Sequence, residues 1–181
     1  MRVLIPLANG VEELEAVTLI DVLRRGGVEV TSAAIGDSLT VKGSRGVSLL
    51  ADALWSSLTP SEFDALVLPG GGKGTEALAQ DKRVLDAVRA FNDGEKTVAA
   101  LCAAPTVLAV AGVLKDRRAT CYPTCAAQLG ASYDNAPVIV DGNIITSQGP
   151  GTSMLFALVL IQQFMGDEAA QRVAAGLLTS F

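Results

Sequence analysis

Along the chain, short runs of apolar residues alternate with stretches whose apolar positions recur every three to four residues. The first pattern suits strands buried on both faces, the second helices with one face turned inward. Their alternation predicts βαβ units and a parallel sheet. RVLIPL (2–7) is the first predicted strand, and residues 11–26, VEELEAVTLIDVLRRG, a helix that stops at Gly26 and Gly27. VEVTSAAI (28–35) is the second strand, and VKGSRGVSLLAD (41–52) a short hairpin or excursion. DALVLPGG (64–71) is a third buried strand that runs into a glycine turn; residues 74–93 read as one helix. TVAAL (97–101) is the fourth buried strand and PTVLAVAGVL (105–114) the next helix. RATCY (118–122) and PVIVDGNIITS (137–147) read as later strands, the second with a hairpin turn at Asp141-Gly142. GPGTS (149–153) opens a long apolar helix, with Thr152 or Ser153 as its N-cap, and residues 167–178 form the last one. No repeat, low-complexity tract or linker interrupts this order, so a single domain over 1–181 is expected.

Composition narrows the functions open to such a domain. A chain of 181 residues buries roughly 70% of its unfolded surface. The net charge of −5 and the lack of a basic tract argue against nucleic acid as a partner. RVLIPL and MLFALVLI are too short to span a bilayer, so no membrane partner is expected. Three cysteines, an odd number, fit a reducing compartment: the cytoplasm, or an organelle had a transit peptide been removed. The chain holds no histidine. A zinc site of imidazole and thiolate is therefore not expected, and a Ser-His-Asp triad or Cys-His dyad is ruled out within the chain.

Sites in open α/β sheets lie beyond the carboxyl ends of the strands. Three features fall there: Gly70-Gly71, Cys102, and the helix start ANGVEELEA with Glu12, Glu13 and Glu15. Cys102 suits either a small core residue or a reactive thiol. In the second reading Pro105 opens a helix whose free amides would stabilise a thiolate and lower its pKa without histidine. The glutamates suit a helix N-terminus and a solvated face; Val11, Leu14, Val17 and Thr18 fall on one side, with Glu15 a step from Leu14. The stretch Gly70-Gly71-Gly72-Lys73-Gly74 matches neither glycine-rich nucleotide motif. It reads as a tight turn, or as backbone brought close to a ligand or the thiol. Cys121 and Cys125 lack the CxxC spacing of redox pairs and read as two partly buried thiols, a resolving role toward Cys102 being the weaker alternative. An FMN site is disfavoured, because an acidic helix start repels phosphate.

GVEELEA, LPGGGKG, ALCAAPTVLA and TSQGPGTS, in this order and spacing, resemble the ThiJ/PfpI superfamily, in the branch of the Parkinson-disease-associated protein deglycase. The resemblance covers essentially the whole chain. It implies an α/β, flavodoxin-like three-layer sandwich with a mostly parallel central sheet, a nucleophile elbow, and a homodimer. It assigns the reactive cysteine to Cys102 and its protonated acid partner to Glu15. It puts oxyanion amides on Gly71, in the turn that Gly70 opens, and on Ala103 beside the cysteine; a pocket arginine, placed by the dimer, matches Arg45, and another matches Arg25. Where the family usually carries a histidine near the cysteine, this chain has Tyr122, a poor base at neutral pH. Gln148 stands where members often have a basic residue.

The activity implied is that of a cofactor-independent glyoxalase. Such an enzyme converts methylglyoxal or glyoxal to lactate or glycolate, and deglycation of early adducts on proteins is its sister activity. Its partners would be small dicarbonyls, glycated proteins and a second copy of the chain, and it would need no metal, nucleotide or glutathione. The alternative is an oxidative-stress sensor or chaperone that signals through oxidation of Cys102 to sulfinic acid. A cysteine hydrolase is weakest, for want of the histidine.

Overall fold

The computed structural model describes residues 1–181. Strand β1 (Arg2–Leu7) leads through α1 (Glu13–Arg25) to β2 (Glu29–Ala34). A two-stranded antiparallel excursion follows, β3 (Thr40–Lys42) with β4 (Ser48–Leu50), then the short β5 (Ala53–Leu54). Next come β6 (Ala65–Leu68), α2 (Gly72–Gln80), α3 (Lys82–Asp93), β7 (Thr97–Leu101) and α4 (Pro105–Ala111). The chain closes with α5 (Ala126–Leu129), the hairpin β8 (Val138–Asp141) and β9 (Ile144–Ser147), α6 (Ser153–Met165) and α7 (Asp167–Gly176).

Seven strands form one sheet in the order β5-β2-β1-β6-β7-β9-β8, all parallel except β8. Alternation along the strands builds the two faces. Val3, Ile5, Leu7, Val67, Ala99, Leu101 and Ile145 point into a cluster with residues of α1, α6 and α7. Leu4, Leu66, Leu68, Val98, Ala100 and Ile144 point into a second cluster with residues of α3 and α4. The result is the expected three-layer, flavodoxin-like α/β sandwich. The chain leaves β1 toward β2 on one side and returns to β6 on the other. This reversal opens a crevice above the carboxyl ends of β1 and β6, where open sheets bind ligands.

Several local expectations are corrected. The predicted helix 74–93 is two helices, because Asp81 takes extended backbone and its carboxylate accepts the Arg83 amide at 2.9 Å, capping α3. Residues 118–122 make one isolated bridge, Ala119 to Tyr133, rather than a strand. The predicted helix 105–114 ends at Ala111, since Gly112 turns left-handed at φ +82°. Thr152 does precede α6, but its hydroxyl bonds Ser147 and Gly149 instead of capping the helix. Along α1, Leu14 and Val17 are about half exposed while Glu13 and Glu15 are buried, the reverse of ordinary amphipathic order. No helix is long and apolar enough to cross a membrane.

Phe156 on α6 is fully buried in the first cluster. Phe156→Ala is expected to lower the unfolding free energy by about 3–5 kcal/mol, read as a drop in the urea midpoint at unchanged slope.

Candidate active site

Three strand ends deliver the groups gathered in the crevice. After β1 the chain turns through Gly10 and enters α1, which carries Glu15 back over the sheet, fully buried. After β6 comes Gly70, whose amide donates to Oε2 of Glu15 at 2.8 Å. After β7 comes Cys102, the corner residue between strand and α4. A Cβ on Gly70 would stand 2.6 Å from Cβ of Cys102 and 2.7 Å from Oε2 of Glu15, so only glycine fits between them.

Cys102 adopts φ +64°, a left-handed backbone that costs a non-glycine residue on the order of 1–3 kcal/mol. Two hydrogen bonds hold it there. Its amide donates to the Ser147 carbonyl at 2.9 Å, and its carbonyl accepts the Tyr122 amide at 2.7 Å. The corner is thus clamped by β9 on one side and by the 118–122 segment on the other. The sulfur is left half-buried, beside the Glu15 carboxyl and facing the amides of Ala103 and Gly71. Gly71 sits at φ +96°, and a Cβ there would come within 2.4 Å of both the Glu12 nitrogen and the Gly10 carbonyl oxygen.

Burial governs the protons of this pair. It pushes the Glu15 carboxyl up from 4.5 to about 7, against the pull of the Cys102 and Gly70 hydrogen bonds. Burial, and then the Glu15 charge beside it, pushes the Cys102 thiol up to about 12. The Ala103 and Gly71 amides pull the other way and are outweighed. This corrects the expectation of a thiol lowered by helix amides: α4 is short, and burial, followed by the neighbouring carboxylate, outweighs its amides. The pair releases one proton near pH 7 and keeps the other to about 12. With that proton on Glu15 the sulfur is a thiolate; with it on sulfur Glu15 is a carboxylate. Oε1 of Glu15, buried and bonded to nothing else, is free to take part in the exchange.

The remaining predicted residues fall unevenly. Tyr122 is 44% exposed and its ring packs against Gly149, at the mouth of a shallow groove that Gln148 also lines. Arg45 stands on the β3–β4 turn beside an open cavity, its amide bonded to Glu13 at 2.9 Å. Arg25 is not brought to the site. It lies in the last turn of α1, the far end from Glu15, and pairs with Asp21 at 2.7 Å. Cys121 is buried and its thiol pushed up to about 11 by burial and by Cys125, so neither cysteine points to chemistry of its own. Sequence reasoning missed Glu13. Its buried carboxylate accepts from the amides of Arg45 and Val47 and the Ser44 hydroxyl, fixing the β3–β4 turn. Burial pushes its pKa up, but those hydrogen bonds together hold it below the ordinary value. Only its place between two other glutamates hinted at such a role.

Relatives share this arrangement of chain. A sequence profile described as the DJ-1/PfpI family matches residues 1–163. Protein dj-1beta of Drosophila melanogaster is 42% identical over 181 residues, covering 98% of this chain and 97% of that protein. A deglycase of Pyrococcus abyssi is 37% identical over 83% of this chain and 92% of its own length. Two Arabidopsis thaliana DJ-1 homologues are longer, this chain spanning 41% and 46% of them. Among solved structures, oxidized Toxoplasma gondii DJ-1 superposes with a TM-score of 0.96 at 37% identity, covering 99% of both chains. With the family pattern spanning most of its length and relatives matching nearly end to end, the chain belongs to the DJ-1/PfpI family.

Proposed function

We propose that the chain is a cofactor-independent glyoxalase with deglycase activity on early glycation adducts. The observation that carries this reading is the buried carboxyl–thiol pair at the left-handed corner. It is a nucleophile and a proton carrier with no histidine. The deglycase name of the Pyrococcus relative supports it. The Cys102 thiolate adds to the aldehyde carbon of methylglyoxal, and the Gly71 and Ala103 amides stabilise the oxyanion. Glu15 removes the proton from that carbon and returns it to the adjacent one through an enediol. The product is a thioester of lactate on Cys102. Water cleaves it, releasing lactate and restoring the thiol. A carboxyl titrating near 7 serves as acid and base in turn at neutral pH. Tyr122 and Arg45 line separate openings on the surface, and Arg25 has no part in the chemistry.

A second reading is favoured by the same sulfur. It is only partly buried, and sits among donors that would hold sulfinate oxygens. The oxidized state named for the Toxoplasma relative agrees with it. In that case Cys102 is a peroxide sensor without turnover. In both readings we place the protein in the cytoplasm, whose reducing conditions suit three free thiols.

We also infer a homodimer. Leu14, Val17, Val47 and Leu50 are each about half exposed or more, and Val17 and Leu50 line one shallow cavity with Ile20 and Leu49. An apolar face of this kind on a soluble surface marks an interaction site.

With reduced protein and no glutathione, methylglyoxal is expected to disappear catalytically. Cys102→Ala should abolish turnover, and Glu15→Gln should slow it roughly 10²-fold; full activity in the alanine variant would remove the mechanism. If instead peroxide adds two oxygen atoms to Cys102 and no aldehyde is consumed, the sensor reading replaces it. The rate should rise with pH through about 7, as the pair reaches its one-proton form.

Stability should move in the opposite direction. Below pH 4.5 the Glu15 carboxyl is protonated folded or unfolded, whereas above 7 it is ionised in both states and its burial is penalised. Folding free energy is expected to fall by about 3 kcal/mol between those limits. Glu15→Gln should flatten that slope in urea titrations at pH 5 and pH 8. Leu50→Asp should shift the mass by light scattering from dimer to monomer. An unchanged mass would move the interface elsewhere.

A further inference from the structure

Next to the crevice lies an open cavity of about 630 Å³ lined by Asn9, Gly10, Lys42, Gly43, Ser44, Arg45, Gly72 and Lys73. Ligand pockets are ordinarily lined mostly by apolar side chains. This one has none. Three of its lining residues are cationic, in a chain with a net charge of −5.

Those cations lack partners. Of the 14 basic side chains, eight are tied in ion pairs, and Lys96 donates to two carbonyls. Lys42, Arg45 and Lys73 are among the five that are left, and all three face the same cavity. Neither nearby acid forms an ion pair with them. The Glu13 carboxylate is taken up by the turn amides, and Glu12 accepts the Ser44 hydroxyl at 2.8 Å.

The walls are also fixed in advance. The Gly10 amide donates to the Lys42 carbonyl at 2.7 Å, and the Lys42 amide to the Asn9 side chain at 2.8 Å. The Ser44 amide donates to the Val11 carbonyl at 2.7 Å. A Cβ on Gly10 would meet Cβ of Lys73 at 2.6 Å, so the β1 and β6 turns touch there. Three chain segments are therefore locked around the cavity before any ligand arrives, which lowers the entropic cost of binding. The start of α2 adds the positive end of a helix dipole.

The cavity and the reacting sulfur share one turn of chain. The Gly71 amide faces the Cys102 sulfur, and the next residue, Gly72, lines the cavity. We propose that this cavity is a phosphate subsite, and that the preferred substrates are reactive carbonyl compounds bearing a phosphate ester. The ester sits among Lys42, Arg45 and Lys73 while the carbonyl reaches Cys102. A tetrahedral dianion uses three converging cations, whereas a carboxylate is satisfied by one arginine. The substrate preference rests on the glyoxalase reading above; the phosphate subsite does not.

Calorimetric titration of inorganic phosphate into the full-length Cys102→Ala protein, at fixed ionic strength, tests the subsite without catalysis. Saturable one-site binding is expected, weakened at least tenfold by Lys42→Met with Lys73→Met and untouched by Lys115→Met. Both lysines are exposed, so their loss leaves the core intact. No binding, equal weakening by Lys115→Met, or acetate bound as tightly as phosphate would overturn the proposal. With active protein, kcat/KM for the phosphate ester of hydroxypyruvaldehyde should exceed that for methylglyoxal at least tenfold. The double variant should erase that preference. An unchanged preference in the variant would overturn the substrate assignment. Phosphate binding by the alanine protein without methylglyoxal turnover by the unmutated one would remove the glyoxalase reading and leave the subsite standing.

Discussion

The buried carboxyl of Glu15 is the constraint around which the site is built. An ionised carboxylate away from water is costly unless it is bonded or protonated. This one accepts a single amide, from Gly70, leaves its other oxygen without a partner, and lies beside the sulfur of Cys102, so burial favours its protonated form. The glycine turn after β6 must therefore come close enough to donate, and Gly70 can carry no side chain. The corner after β7 must present its sulfur from a left-handed backbone. Strain, burial and a missing Cβ are three faces of one requirement, which is to hold a proton between oxygen and sulfur out of water.

Much of the architecture was legible because buried parallel strands write themselves as unbroken apolar runs. RVLIPL, ALVL and TVAAL needed no context to be read as strands. Helix ends and short segments were not so plain. Asp81 interrupts a continuous helical period, and only its extended backbone and its bond to the Arg83 amide make it a cap. RATCY has the composition of a strand but lacks a neighbour to pair with, since β9 already flanks β7 and β8 closes that edge.

The site was legible in its members and opaque in its electrostatics. Glu15 and Cys102 stand out as polar residues among apolar ones at strand ends. Which glutamate of three meets the sulfur depends on the approach of the β6 turn, which no local pattern encodes. Leu14 and Val17 facing solvent, with Glu13 and Glu15 inside, reverse the rule by which such helices are read. In this helix Glu15 meets the Gly70 amide and Glu13 the β3–β4 turn, while Leu14 and Val17 are left at the surface. The state of the thiol was hidden for the same reason, since helix amides are visible in sequence and a carboxylate 87 positions away is not.

The bond from the Cys102 amide to Ser147 ties the reactive corner to a strand laid down 45 residues later in the chain. On a ribosome the thiol therefore emerges long before the backbone that bends it. Until β9 is in place only the Tyr122 amide is there to hold residue 102 in its left-handed state, and half of the clamp is missing. The order of synthesis thus leaves the reactive corner unfinished until β9 pairs with β7.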